Sequence, residues 1–157
     1  MDGYQDYDAL GLAELVRTGA ASPAELLAAA KARAAAVNPT INAIVAELDP
    51  PVAEVGDDAP FRGVPFLLKD LHQHIAGEVT SNGSRAYLHY RRPDTSDSVA
   101  RWLKAGLVIF GKTNTPEFGA KGITEPAAHL IDPTYSVNIA GNWFFIVGVV
   151  LVFTPIV

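Results

Sequence analysis

The chain is 157 residues long, 49% hydrophobic and 18% charged, enough for one domain with a buried core. Its 12 Lys and Arg against 17 Asp and Glu give a net charge of -5, the wrong sign for a general nucleic-acid binder, so no nucleic-acid partner is expected. The absence of cysteine excludes a disulfide scaffold, a Cys-ligated metal site and a thiol nucleophile. The N-terminus, Met-Asp-Gly-Tyr-Gln-Asp-Tyr-Asp, is acidic and polar, where a secretory signal needs a basic start and an apolar run. The expected location of this part is cytoplasmic.

Taken in chain order, Asp8 is a predicted N-cap for a helix over 9–18, with Leu10, Leu12, Leu15 and Val16 at near-helical spacing and Gly19 behind it. Ser22-Pro23-Ala24-Glu25 is a capping box that opens an alanine-rich helix to about Val37, where Asn38-Pro39 is predicted to stop it. Ile41 to Leu48 reads as a short strand, broken by Asp49-Pro50-Pro51. Gly63 to Asp70 is an apolar run ending in charges, the pattern of a buried strand. Residues 75–95, rich in Gly, Ser, Thr and Asn, read as loop. Asp94 or Ser96 then caps a helix through Val99, Trp102, Leu103 and Ala105, closed by Gly106. Leu107-Val108-Ile109-Phe110 is a second buried strand, so strand, helix and strand make a βαβ unit and the fold class is α/β.

Two segments could carry chemistry. Lys69 ends the first buried strand. A lysine losing hydration there shifts towards its neutral form and becomes a usable general base; on spacing alone it could equally snorkel to the surface or pair with Asp70. The loop from Gly111 to Gly119 follows the carboxyl end of the second strand, where α/β sheets bind ligands, and its polar residues could line a cleft. His72 and His74 would share a face on a strand, yet no third ligand is obvious, and they read as two partly exposed loop histidines. Tyr90-Arg91-Arg92 reads as a solvated surface patch.

Gly-Val-Pro-Phe-Leu-Leu-Lys-Asp (63–70) and Gly-Lys-Thr-Asn-Thr-Pro-Glu-Phe-Gly (111–119) together resemble two hallmark segments of the amidase signature family, over residues 5–126. The spacer through Gly83-Ser84-Arg85-Ala86, Asp97-Ser98-Val99 and Lys104-Ala105-Gly106 fits as well. The resemblance implies a partial core of that family: N-terminal helices plus the βαβ part of a mixed sheet. It also implies hydrolysis of a small-molecule amide by a Ser–cis-Ser–Lys triad, without metal or cofactor. Lys69 would be the triad lysine, taking a proton from the bridging serine, which in turn activates the nucleophile.

The family's Gly-Gly-Ser-Ser-Gly-Gly run, which supplies the bridging serine, does not occur in these residues. Ser81 and Ser84 lie in the loop after Lys69, but neither stands in a Gly-x-Ser-x-Gly elbow, and Ser136 lies in the tail. The expectation is therefore a truncated amidase with one triad residue, inactive alone. The alternatives are a catalytically dead, membrane-tethered fusion fragment and a non-catalytic small-molecule binding domain.

All 12 Lys and Arg and 16 of the 17 acids lie in 1–126. Residues 1–126 are accordingly expected to be the amidase portion and 127–157 an unrelated apolar tail. The stretch from Ala127 to Phe145 resembles a segment of the p-aminobenzoyl-glutamate transporter family, where it leads into a membrane helix; a transporter needs many spans, so no transport function follows. Residues 139–157 read as a truncated transmembrane helix, short of the ~20 apolar residues that cross a bilayer. Membrane association through them is the expectation.

Overall fold

The computed structural model describes residues 3–49, 55–122 and 124. The polar start forms a 3-10 turn at Tyr4–Asp6. Asp8 then caps helix α1, Ala9–Arg17, accepting from the Gly11 N–H at 2.7 Å. The predicted capping box is present at α2, Pro23–Ile41: the Ser22 hydroxyl accepts from the Glu25 N–H, and Glu25 accepts from the Ser22 N–H at 2.8 Å.

Asn38-Pro39 does not stop this helix, which runs on to Ile41 with Pro39 inside its last turn. Proline removes one helical hydrogen bond, the one from its own nitrogen to the carbonyl four residues back, and only two helical residues follow it here. The stop comes from Asn42, in the left-handed conformation at φ 45° with its N–H on the Asn38 carbonyl. The Asn38 side chain instead holds the next strand, bonding both Ile44 backbone groups at 2.8 and 3.0 Å. That strand, β1, is Ile44–Glu47, shorter than the predicted run.

Strand β2 is Pro65–Lys69, buried except at Lys69. A crossover containing helix α3, Asp97–Lys104, leads to β3, Val108–Thr113, buried throughout. Ser96 stands at the N-cap of α3 without a side-chain capping bond. Gly106, at φ 96°, turns the chain out of the helix, and a Cβ there would lie 2.7 Å from the Arg62 Cα. The strand order is β1-β3-β2, with β3 antiparallel to β1 and parallel to β2. The architecture is thus α/β with a mixed sheet, and the expected βαβ unit is its centre. β3 extends three residues past the predicted Phe110, carrying Gly111, Lys112 and Thr113 into the sheet.

Alternate residues of β2 face opposite sides. Phe66 and Leu68 join Leu12, Leu26, Val64, Val99 and Ile109 in one apolar cluster, with Trp102 packed 5.4 Å from the Phe66 ring. Leu67 joins Phe110 and Ala30 in the other. Among the described residues no helix is long and apolar enough to cross a membrane. The predicted helix over 139–157, and the tail from 127, lie outside the described residues.

Candidate functional site

β2 and β3 run parallel, so their carboxyl ends emerge at one edge of the sheet, and Lys69 pairs in register with Thr113 there. The chain leaves β2 into a loop through 70–84 and leaves β3 into 114–119. These two loops close on each other. Phe118 donates its N–H to the Asn82 carbonyl at 2.8 Å. Gly83, at φ 69°, approaches so near that a Cβ would lie 2.7 Å from the Thr115 carbonyl oxygen. Asn114 fixes the base of its loop by donating from Nδ2 to the Asn42 carbonyl at 3.2 Å.

Beneath the loops lies a charge pair that sequence reasoning missed. Asp70 and Lys112 are 5% and 1% exposed, with Lys112 Nζ 3.7 Å from Asp70 Oδ1. Lys112 Nζ donates to Thr80 Oγ1 at 2.6 Å and to the Val79 carbonyl. Asp70 accepts from the Ser81 N–H at 3.1 Å and from the Ser81 hydroxyl. Burial pushes the Asp70 carboxyl above the usual range, opposed by the Ser81 hydroxyl and the Lys112 charge. Burial likewise pushes the Lys112 ammonium down, opposed by Asp70. Parity in the sequence marks Asp70 but not Lys112, because the ladder shifts register between Phe66 and Leu67 and simple alternation from Ile109 would put Lys112 on the other face. Two steps along from Leu68, Asp70 falls on the same face, and Lys112, in register with Leu68, falls there too.

Lys69 points the other way in this alternation. It is half-buried at the end of β2, and its side chain makes no hydrogen bond or ion pair among the described residues. The Asp70 reading of its partner is therefore corrected: Asp70 is committed to Lys112, which sits on its own face. The Lys69 backbone N–H is capped by Gln73 Oε1 at 2.7 Å.

The Gly111–Gly119 segment divides in two. Gly111 to Thr113 belong to β3, and 114–119 form the loop. Phe118 holds a left-handed φ of 51° while 54% exposed, and its ring meets Tyr87 edge-on at 6.0 Å. A bulky residue held at positive φ in an exposed loop is a strained arrangement of the kind found at functional sites. Ser81 is engaged by Asp70, and Ser84 is buried with its hydroxyl accepting from the Ala86 N–H at 3.4 Å. Neither is presented as a nucleophile. His72 is exposed and His74 contacts Asp94 at 3.2 Å. Among the described residues no three His, Asp or Glu side chains are grouped to hold a metal.

A parallel strand pair with a helical crossover, flanked by an antiparallel strand, makes this an α/β scaffold whose loops 70–84 and 114–119 meet at the shared carboxyl edge. The chain belongs to the amidase family, whose profile matches residues 25–134. It is 42% identical over 125 residues to 6-aminohexanoate-cyclic-dimer hydrolase of Paenarthrobacter ureafaciens, covering 77% of this chain and 25% of that protein. It is 38% identical over 127 residues to a lipoamidase of Enterococcus faecalis, covering 78% and 18%. The solved structure of 6-aminohexanoate cyclic dimer hydrolase with its substrate superposes with a TM-score of 0.68 at 38% identity, over 80% of this chain and 27% of that one. The chain thus spans about a quarter, or less, of the length of the curated relatives it matches. A second profile, that of the AbgT transporter family, matches residues 114–157 and overlaps the first over 114–134.

The buried pair makes a quantitative prediction. Asp70→Asn leaves the Lys112 ammonium buried without its counter-charge and should lose about 3–5 kcal/mol in urea unfolding. Adding Lys112→Met should recover much of that loss, so the double variant falls well short of the sum of the singles. Additive losses would mean that the two side chains do not act as a pair.

Proposed function

We propose that this chain carries the lysine-bearing part of an amide hydrolase, with Lys69 as the group that receives a proton from a serine supplied by residues outside these 157. The observation that carries this reading is the contrast between two lysines. Lys112 is locked by Asp70, Thr80 and the Val79 carbonyl. Lys69, at the carboxyl end of the adjacent strand, has no side-chain partner among the described residues. A base must keep its nitrogen lone pair available, and of these two lysines Lys69 is the one without a side-chain partner among the described residues. The wall formed by 114–119 stands beside it and would line the amide cleft.

In this reading neutral Lys69 takes a proton from the bridging serine. That serine takes one from the nucleophile, whose oxygen attacks the carboxamide carbon, and the C–N bond breaks as the nitrogen regains a proton. No metal or cofactor is required, because the proton relay itself activates the nucleophile. The relatives named as hydrolase and amidase supply the reaction class; no particular amide is carried over to this chain. In this reading the serine pair comes from outside these residues, so the 157-residue chain turns over no amide by itself.

Purified chain should show no turnover of a simple carboxamide. Joined with the remaining part of an amidase it should hydrolyse one, with Lys69→Ala lowering the rate by about 10²–10⁴-fold. Turnover by the isolated chain, or full activity of the Lys69→Ala complex, would contradict the assignment.

A second reading concerns the tail. The transporter-profile match over 114–157 supports a boundary within 114–134, followed by a membrane-seeking segment at 139–157. Carbonate-resistant membrane association should then disappear on deletion of 139–157. A chain recovered wholly in the aqueous fraction would end this reading.

A further inference from the structure

The loop that leaves β2 and the segment that enters α3 are stitched side by side. The Ser96 N–H donates to the His74 carbonyl at 3.0 Å and the Ala76 N–H to Thr95 Oγ1 at 3.0 Å. The Gly77 N–H donates to the Arg92 carbonyl at 2.8 Å, and the Arg92 N–H to the Glu78 carbonyl at 3.1 Å. The stitched stretch, 74–79, lies between two groups of the candidate site. Gln73, just before it, caps the Lys69 N–H. Val79 and Thr80, at its end, hold the Lys112 ammonium.

The His74 side chain crosses this seam and is 14% exposed. Its Nδ1 lies 3.1 Å from the His72 carbonyl oxygen. A carbonyl only accepts, so Nδ1 carries a hydrogen. Its Nε2 faces two groups of opposite kind, Asp94 Oδ2 at 3.2 Å and Arg92 Nη2 at 3.4 Å. A carboxylate only accepts and a guanidinium only donates. One protonation state of the ring therefore cannot serve both. The neutral ring offers the Nε2 lone pair to Arg92. The doubly protonated ring offers Nε2–H to Asp94 and meets Arg92 as a like charge. Arg92 also lies 3.6 Å from the other Asp94 oxygen, so the three side chains form a triangle whose two histidine sides depend on one proton. The neighbouring charges pair with each other: Arg91 lies 3.8 Å from Glu78 and donates to the Gly77 carbonyl. The cap of α3 meets His74 through the uncharged Ser96 N–H and hydroxyl.

We propose that His74 is a one-proton partner switch in the loop bordering the candidate site: bare at Nε2 it accepts from Arg92, and protonated there it turns to Asp94. Histidine is the side chain suited to such a change in mildly acidic to neutral water. The exchange is felt along the seam, because Arg92 and Asp94 belong to the segment stitched to 74–78. It operates whether or not Lys69 serves as a base, and so stands apart from the functional reading.

The test is ring-nitrogen NMR of the full 157-residue chain across a pH titration, with the His74 signals assigned by their loss in His74→Gln. In alkaline buffer the His74 ring should be in the Nδ1–H tautomer, whereas a solvated histidine favours Nε2–H. An Nε2–H tautomer there overturns the proposal. Asp94→Asn removes the charged acceptor of the protonated ring and should move the His74 titration to lower pH by at least about half a unit. Arg92→Gln removes the like charge and should move it to higher pH by a similar amount. Shifts in the same direction, or no shift in either variant, overturn the partner exchange. The Ala76 and Ser96 backbone amide signals should change with the same midpoint as the ring; amides indifferent to it overturn the coupling to the seam.

Discussion

One carboxylate and one ammonium, buried on the same face of two parallel strands, hold this site together. Asp70 directly follows β2 and Lys112 lies near the end of β3, so their attraction joins the carboxyl ends of both strands. Each also reaches the intervening loop, Asp70 through Ser81 and Lys112 through Thr80 and Val79. Burying two charges is expensive unless they are paired and hydrogen-bonded, and here every partner comes from a segment bordering the candidate site. The loop from 79 to 84 is thereby fixed against 115–118, where Gly83 permits the close approach.

That pair also explains why Asp70 is not the partner of Lys69. Strand alternation puts Lys69 and Asp70 on opposite faces, so the nearest carboxylate in sequence is not its partner in space. Had Asp70 faced Lys69, its carboxylate would have engaged that amine instead of Lys112. The scaffold thus separates Lys112, which Asp70 engages, from Lys69, which it does not, by a single residue of parity.

Much of this was legible in the sequence. Asp8, the Ser22–Glu25 box and Gly106 act through local geometry and were read correctly from local signals. The runs 63–70 and 107–110 were legible as buried strands because nothing else explains so many apolar residues in a row. What was not legible depended on contacts distant in the chain. Lys112 was read as part of a loop because a charged residue in a buried strand makes sense only once Asp70 is known to face it. Pro39 was read as a stop because the tolerance of a last turn for proline depends on Asn42 and on the Asn38 side chain, which is drawn to Ile44. The pairing of the Phe118 loop with Asn82 left no trace in the residue pattern.

The central claim is that Lys69 and not Lys112 presents the usable amine. It is tested most directly by limited acylation of the folded 157-residue chain with an amine-reactive reagent, followed by peptide mapping. Lys69 should be modified at a rate comparable to exposed lysines, and Lys112 should stay unmodified until the chain is unfolded. Modification of Lys112 as fast as Lys69 in the folded chain, or protection of Lys69, would contradict the account.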